Sequence, residues 1–120
     1  MRLLLIEDDV PVADILTEAL SDIGHQVSVA HTGEEGLREL THSPPDAVFL
    51  DVALPGMDGV TVLRAIRAHD RQLPVIVFSG YVTPEQSEQL RSLGIHDVIQ
   101  KPDTLSRLTE VLALLSSPTV

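Results

Sequence analysis

At 120 residues, with eight basic against eighteen acidic side chains and a formal charge of −10, the chain reads as one domain, residues 1–120, long enough to bury a core; its acidity argues against gripping a nucleic-acid backbone. The absence of cysteine removes disulfides and thiolate metal sites and suits a reducing cytoplasm. No apolar run approaches the roughly twenty residues of a membrane span, and Met1-Arg2 followed by four apolar residues and then acids is no signal peptide, so a soluble cytoplasmic protein is expected.

Leu3 to Ile6 is a short apolar run ending at Glu7, Asp8 and Asp9, the pattern of a buried strand with acids at its exit. Val12, Ile15, Leu16, Ala19, Leu20 and Ile23 then recur at helical spacing up to Gly24, with Asp9 as the cap. Val27 to Ala30 is a second strand. Thr32 and Glu35 predict a capping box for a second helix carrying Leu37 and Leu40, which Pro44-Pro45 ends. The apolar run Ala47 to Leu50 stops at Asp51, placing a carboxylate where open α/β sheets bind ligands. Pro55 and Gly56 turn the chain, and Asp58 is placed to cap a helix through Val60, Leu63 and Ile66.

Leu73 to Phe78 is a fourth strand closed by Ser79 and Gly80. Thr83, Pro84 and Gln86 supply a cap, a first-turn proline and the second half of a capping box for a helix running to about Leu93, one poor in apolar residues. Val98 and Ile99 form a fifth strand leading to Gln100, Lys101 and Pro102, whose peptide bond to Lys101 is a candidate for the cis form. Leu105, Leu108, Val111, Leu112 and Leu115 mark a last amphipathic helix before a loose tail, 116–120. Met1 directly before the first strand favours a natural start.

Five strands alternating with five helices imply a doubly wound parallel sheet with right-handed crossovers, so the strand exits line one edge. Glu7, Asp8, Asp51, Ser79 and Lys101 would converge there. Taken singly, each has a bland reading: a helix cap, a polar loop, a turn hydroxyl, a solvated charge. Placed together at four strand exits, they point to chemistry. Carboxylates about 5 Å apart repel by roughly 3 kcal/mol per pair at an effective dielectric near 20, and Mg2+ is the natural remedy, with Asp8 and Asp51 as direct ligands and Glu7 acting through water. Ionised Asp51 could then attack phosphorus to form an acyl phosphate, while Ser79 and Lys101 stabilise the phosphoryl oxygens.

The segments LLIEDD, LDVALPGMDG, PVIVFSG and QKP, in this order, resemble the receiver domains of two-component response regulators over nearly the whole chain. The resemblance implies a flavodoxin-like (βα)5 sheet of order 2-1-3-4-5 and phosphoryl transfer to Asp51 from a histidine kinase or histidine phosphotransfer protein. By the same resemblance Glu7 and Asp8 are the acidic metal pair, Ala53 lends a backbone carbonyl to Mg2+, and Ser79 and Lys101 are the switch hydroxyl and lysine. An output domain or partner protein would receive the signal, and the fourth helix, fifth strand and last helix form a candidate homodimer face. Two positions depart from the family pattern: Val98 stands where an aromatic switch residue is frequent, and Asp103 follows Lys101-Pro102 where phenylalanine is common. Ala53 and Tyr81 resemble the positions that tune phosphoryl lifetime.

Three rival readings fit the residues less well. A phosphatase of the haloacid-dehalogenase type wants a second aspartate where Ala53 stands. A flavin- or nucleotide-binding module wants a glycine-rich loop where Glu7, Asp8 and Asp9 stand. A pseudo-receiver that only binds partners would not need the full set of phosphorylation residues. The five histidines (His25, His31, His42, His69, His96) show no metal-ligand spacing and read as loop or surface residues.

Overall fold

A computed structural model describes residues 1–52, 59–79, 83–95 and 97–100. The chain alternates β1 (Arg2–Ile6), α1 (Val10–Asp22), β2 (Gln26–Ala30), α2 (Gly33–His42), β3 (Ala47–Asp51), α3 (Gly59–His69), β4 (Val75–Ser79), α4 (Pro84–Ser92) and β5 (Asp97–Gln100). All strand pairs are parallel, as the alternation of strands and helices implies, and the order is β2-β1-β3-β4-β5, as the family resemblance implies. The expected fifth helix, the Lys101-Pro102 bond and the tail fall outside the described residues. No described helix is long and apolar enough to cross a membrane.

The apolar runs are continuous because the central strands are buried on both faces. Along β1, Leu4 and Ile6 join Val48, Leu50, Val75 and Val77 in a core closed by Leu40 of α2, Leu63 and Ile66 of α3 and Leu90 of α4. Leu3 and Leu5 point the other way, joining Phe49, Ile76 and Phe78 against Ala13, Leu16 and Leu20 of α1. The register follows: a slip of one residue would exchange these two sets between faces that different helices cover.

The helices begin where short polar side chains replace missing backbone partners. Asp9 accepts from the Val12 N–H at 3.2 Å, and Thr83 and Gln86 form a reciprocal capping box. At α2 the expected box is only half made. Thr32 Oγ1 accepts from Glu35 N–H at 3.1 Å, but the Glu35 carboxylate accepts from His31 N–H instead of Thr32 N–H, one residue earlier in the chain. Gly24 and Gly94 follow α1 and α4 with φ of +93° and +77°, the left-handed turn expected of a glycine stop.

Helix α4 buries only Leu90, so little of its position comes from apolar packing. Arg67 compensates. Its Nε and Nη2 donate to the carbonyls of Leu93 and Gly94 just past α4, at 2.7 and 2.8 Å, while Nη1 donates to Leu73 at 2.7 Å and Asp70 at 3.1 Å. One planar cation thus ties the ends of α3 and α4 to the start of β4, at helix C-termini where positive charge is favoured. Arg67→Ala is expected to cost about 2 kcal/mol and to speed amide exchange in residues 86–95, measured by urea unfolding and hydrogen exchange; Arg67→Lys should recover less than half, because one ammonium cannot span the four carbonyls.

Candidate functional site

Parallel strands bring their exits to one edge, and there the structure gathers acids from two of them. Glu7 follows β1 directly and is fully buried; Asp51 is the last residue of β3 and is 3% exposed; Asp8 is exposed. One carboxylate oxygen of each lies within 4.8 Å of the other two. β1 and β3 are neighbours, with Ile6 paired to Leu50, so the residues after each pair, Glu7 and Asp51, emerge side by side. The sequence pattern places Asp51 at the C-terminal end of a buried strand, and there it stands, the last residue of β3, paired with Phe78 of β4.

Backbone contacts hold this edge. The Glu7 N–H donates to the Ala30 carbonyl at 2.9 Å, extending the β1–β2 ladder past the last strand residue. The Glu7 carboxylate accepts a long contact from Asp9 N–H at 3.4 Å, and the Glu7 carbonyl accepts from His31 Nδ1 at 3.0 Å. After Asp51, the Gly59 N–H donates to the Val52 carbonyl at 3.0 Å, which joins the start of α3 to the exit of β3.

Ser79 ends β4, one residue past the Asp51 partner Phe78, and pairs in register with Gln100 of β5. Ala53 and Lys101 lie outside the described residues. The structure therefore brings Glu7, Asp8 and Asp51 together and sets the backbone of Ser79 on the same edge. Among the histidines, His42 and His69 are exposed, as expected of surface residues, whereas His25 and His31 are half-buried and hydrogen-bonded. No ligand spacing marks His31 in the sequence; its one signal is its place immediately after β2, on the acidic edge.

Three carboxylates this close repel one another, two of them with little water to screen the charge. Their oxygens are hard donors, the set that suits a small divalent cation such as magnesium and not a thiolate-seeking metal. The donor chemistry fits a cation that keeps part of its water shell.

A family model of the response regulator receiver domain matches residues 3–113. The chain belongs to this family. PrrA, a transcriptional regulatory protein of Mycobacterium leprae (strain TN), is 38% identical over 115 residues, which cover 95% of this chain and 49% of the relative. QseB, a transcriptional regulatory protein of Escherichia coli O157:H7, is 36% identical over 115 residues, covering 96% of this chain and 52% of QseB. This receiver domain spans about half the length of the curated relatives it matches. Among solved structures, a CheY-like receiver domain protein from Methanospirillum hungatei JF-1 superposes with a TM-score of 0.86 at 27% identity, covering 95% of this chain and 94% of that one. The Vibrio cholerae chemotaxis protein CheY4 reaches 0.88 at 22% identity, covering 95% and 97%, a likeness of fold.

Within the receiver, Gly59 is required by contact. A Cβ there would run into the Cα of Val52, backbone next to Asp51, and would stand 2.9 Å from the Val52 side chain. Backbone cannot rotate aside as a side-chain tip does. Gly59→Ala is expected to destabilise the fold by about 1–3 kcal/mol, because overpacking exceeds the gain of about 1 kcal/mol that alanine brings to a helix; a lower urea midpoint checks this, and an unchanged or higher midpoint would contradict it.

Proposed function

We propose that the chain is the phosphoacceptor of a two-component relay, taking a phosphoryl group on Asp51 from a histidine kinase or histidine phosphotransfer protein in a magnesium-dependent reaction. The observation that carries this is the convergence of Glu7, Asp8 and Asp51 within 4.8 Å at the exits of two adjacent strands. Glu7, Asp8, Asp51 and, by family resemblance, the Ala53 carbonyl would hold the ion. Bound there, magnesium would offset the carboxylate charge and draw in the phosphoryl oxygens.

An Asp51 carboxylate oxygen then attacks phosphorus in line with the leaving group. The new C–O–P bond forms as the donor's P–N bond breaks, and the electron pair of that bond returns to the donor imidazole. Asp51 needs no general base, since it attacks already ionised. The exposed Asp8 marks the side of the triplet that faces solvent and a donor. Ser79 and Lys101, at the exits of β4 and β5, take the hydroxyl and ammonium roles on the phosphoryl oxygens. Since the relatives are about twice as long as this chain, an output domain or partner protein reads the altered edge, and α4 and β5, with the last helix that the sequence pattern predicts, supply a dimer face.

Incubation with acetyl phosphate, read by intact mass, tests the proposal. Wild type is expected to gain one phosphate with magnesium and none after chelation, while Asp51→Asn gains none. Equal gain by the Asn variant would remove Asp51 as the acceptor; no gain by wild type under any condition would instead favour a pseudo-receiver that acts by binding.

A further inference from the structure

His31 is the first residue after β2 and stands against Glu7 on the acidic edge. Its Nδ1 lies 3.0 Å from the Glu7 carbonyl oxygen. A carbonyl only accepts, so Nδ1 carries the proton and donates it. On the other side of the same Cα, the Glu7 N–H is held by the carbonyl of Ala30 at 2.9 Å. Both peptide groups flanking Glu7 are therefore fixed by consecutive residues at the exit of β2, although β1 itself ends at Ile6.

The Glu7 carbonyl belongs to the planar peptide that leads into Asp8. Fixing that plane sets the direction in which Asp8 leaves the strand. Asp8 is the exposed member of the triplet, so no surrounding core imposes a direction on it. The backbone that carries the ring is anchored in turn: the His31 backbone N–H donates to Glu35 Oε2 at 3.1 Å, and Glu35 sits in the first turn of α2, capped by Thr32. A chain of contacts runs from the start of α2 through His31 to the peptide between Glu7 and Asp8. Water could replace the lost donor to the carbonyl, but water would not hold the plane in one orientation.

We propose that His31 is a positioning residue for the acidic triplet: its Nδ1–H fixes the Glu7–Asp8 peptide and thereby sets the affinity of Glu7, Asp8 and Asp51 for a divalent cation. The inference rests on the magnesium reading given above. A partner hydrogen-bonded directly to a metal ligand atom is worth about 10–100-fold in affinity. His31 acts one bond network further out, on the backbone between two ligands, so a loss of about 3–10-fold is expected.

Magnesium titration of the full chain by calorimetry tests this, with Asp8→Ala as the reference for a broken site. His31→Ala and His31→Phe, the latter keeping ring volume without the donor, should both raise Kd about 3–10-fold while melting near wild type without magnesium. His31→Asn, whose Nδ2 takes the place of Nδ1, should stay within about twofold of wild type. Equal affinity for wild type and His31→Ala, or His31→Asn as weak as His31→Phe, would overturn the role of His31 and leave the metal reading standing. Wild type with no saturable binding would remove the metal reading itself, and this proposal with it.

Discussion

Mutual repulsion among three carboxylates is the constraint around which this receiver domain is arranged. Two of them, Glu7 and Asp51, are withdrawn from water, and the third lies close enough to share one small cation with both. Left to itself, such a cluster would spread. It stays together because its members are continuations of neighbouring strands whose separation is set by the ladder spacing, about 4.8 Å. The sheet holds the charges at a distance they would not choose, and its stability must outweigh their repulsion.

That stability comes from burial on both faces. The alternation of Leu4 and Ile6 against Leu3 and Leu5 assigns each strand residue to one of two cores, and the same alternation runs through β3 and β4. The two cores lock the register, and the register sets Glu7 beside Asp51. The edge is less firmly built away from the centre. β2 is only partly covered, and α4 contributes a single buried side chain, so capping groups, Arg67 and His31 do there what apolar packing does in the middle. Polar contacts of this kind are easier to remake than a packed core, which places the adjustable parts of the molecule at its margins.

Much of this was legible in the sequence because it depends on local rules. Short apolar runs closed by polar residues, acidic ones at Glu7 and Asp51, marked the strands, and Asp9 and the Thr83–Gln86 box marked helix starts that the structure contains. The strand order came from the family resemblance. Contacts between distant segments were not legible. Nothing in the spacing showed that Glu35 would bond His31 and leave Thr32 N–H aside, that Arg67 would collect four carbonyls from two segments, or that Glu7 would be buried while Asp8 stayed exposed. The contacts of Glu35 and Glu7 depend on how β2 and β1 end relative to each other, and those of Arg67 on how α3 and α4 end relative to β4, tertiary matters that periodicity does not encode. Lys101 entered by its place after a strand and Ala53 by resemblance alone, and both fall outside the described residues.

The central claim is that Asp51, among three adjacent carboxylates, is the one that accepts phosphorus. Borohydride reduces an acyl phosphate to the alcohol, which converts a phosphorylated aspartate to homoserine while leaving free carboxylates intact. Reduction after incubation with a phosphodonor and magnesium, followed by peptide sequencing in the mass spectrometer, names the acceptor directly. Conversion of Asp51 alone is the result expected. Conversion of Asp8 or of a residue away from this edge, with Asp51 unmodified, would contradict it.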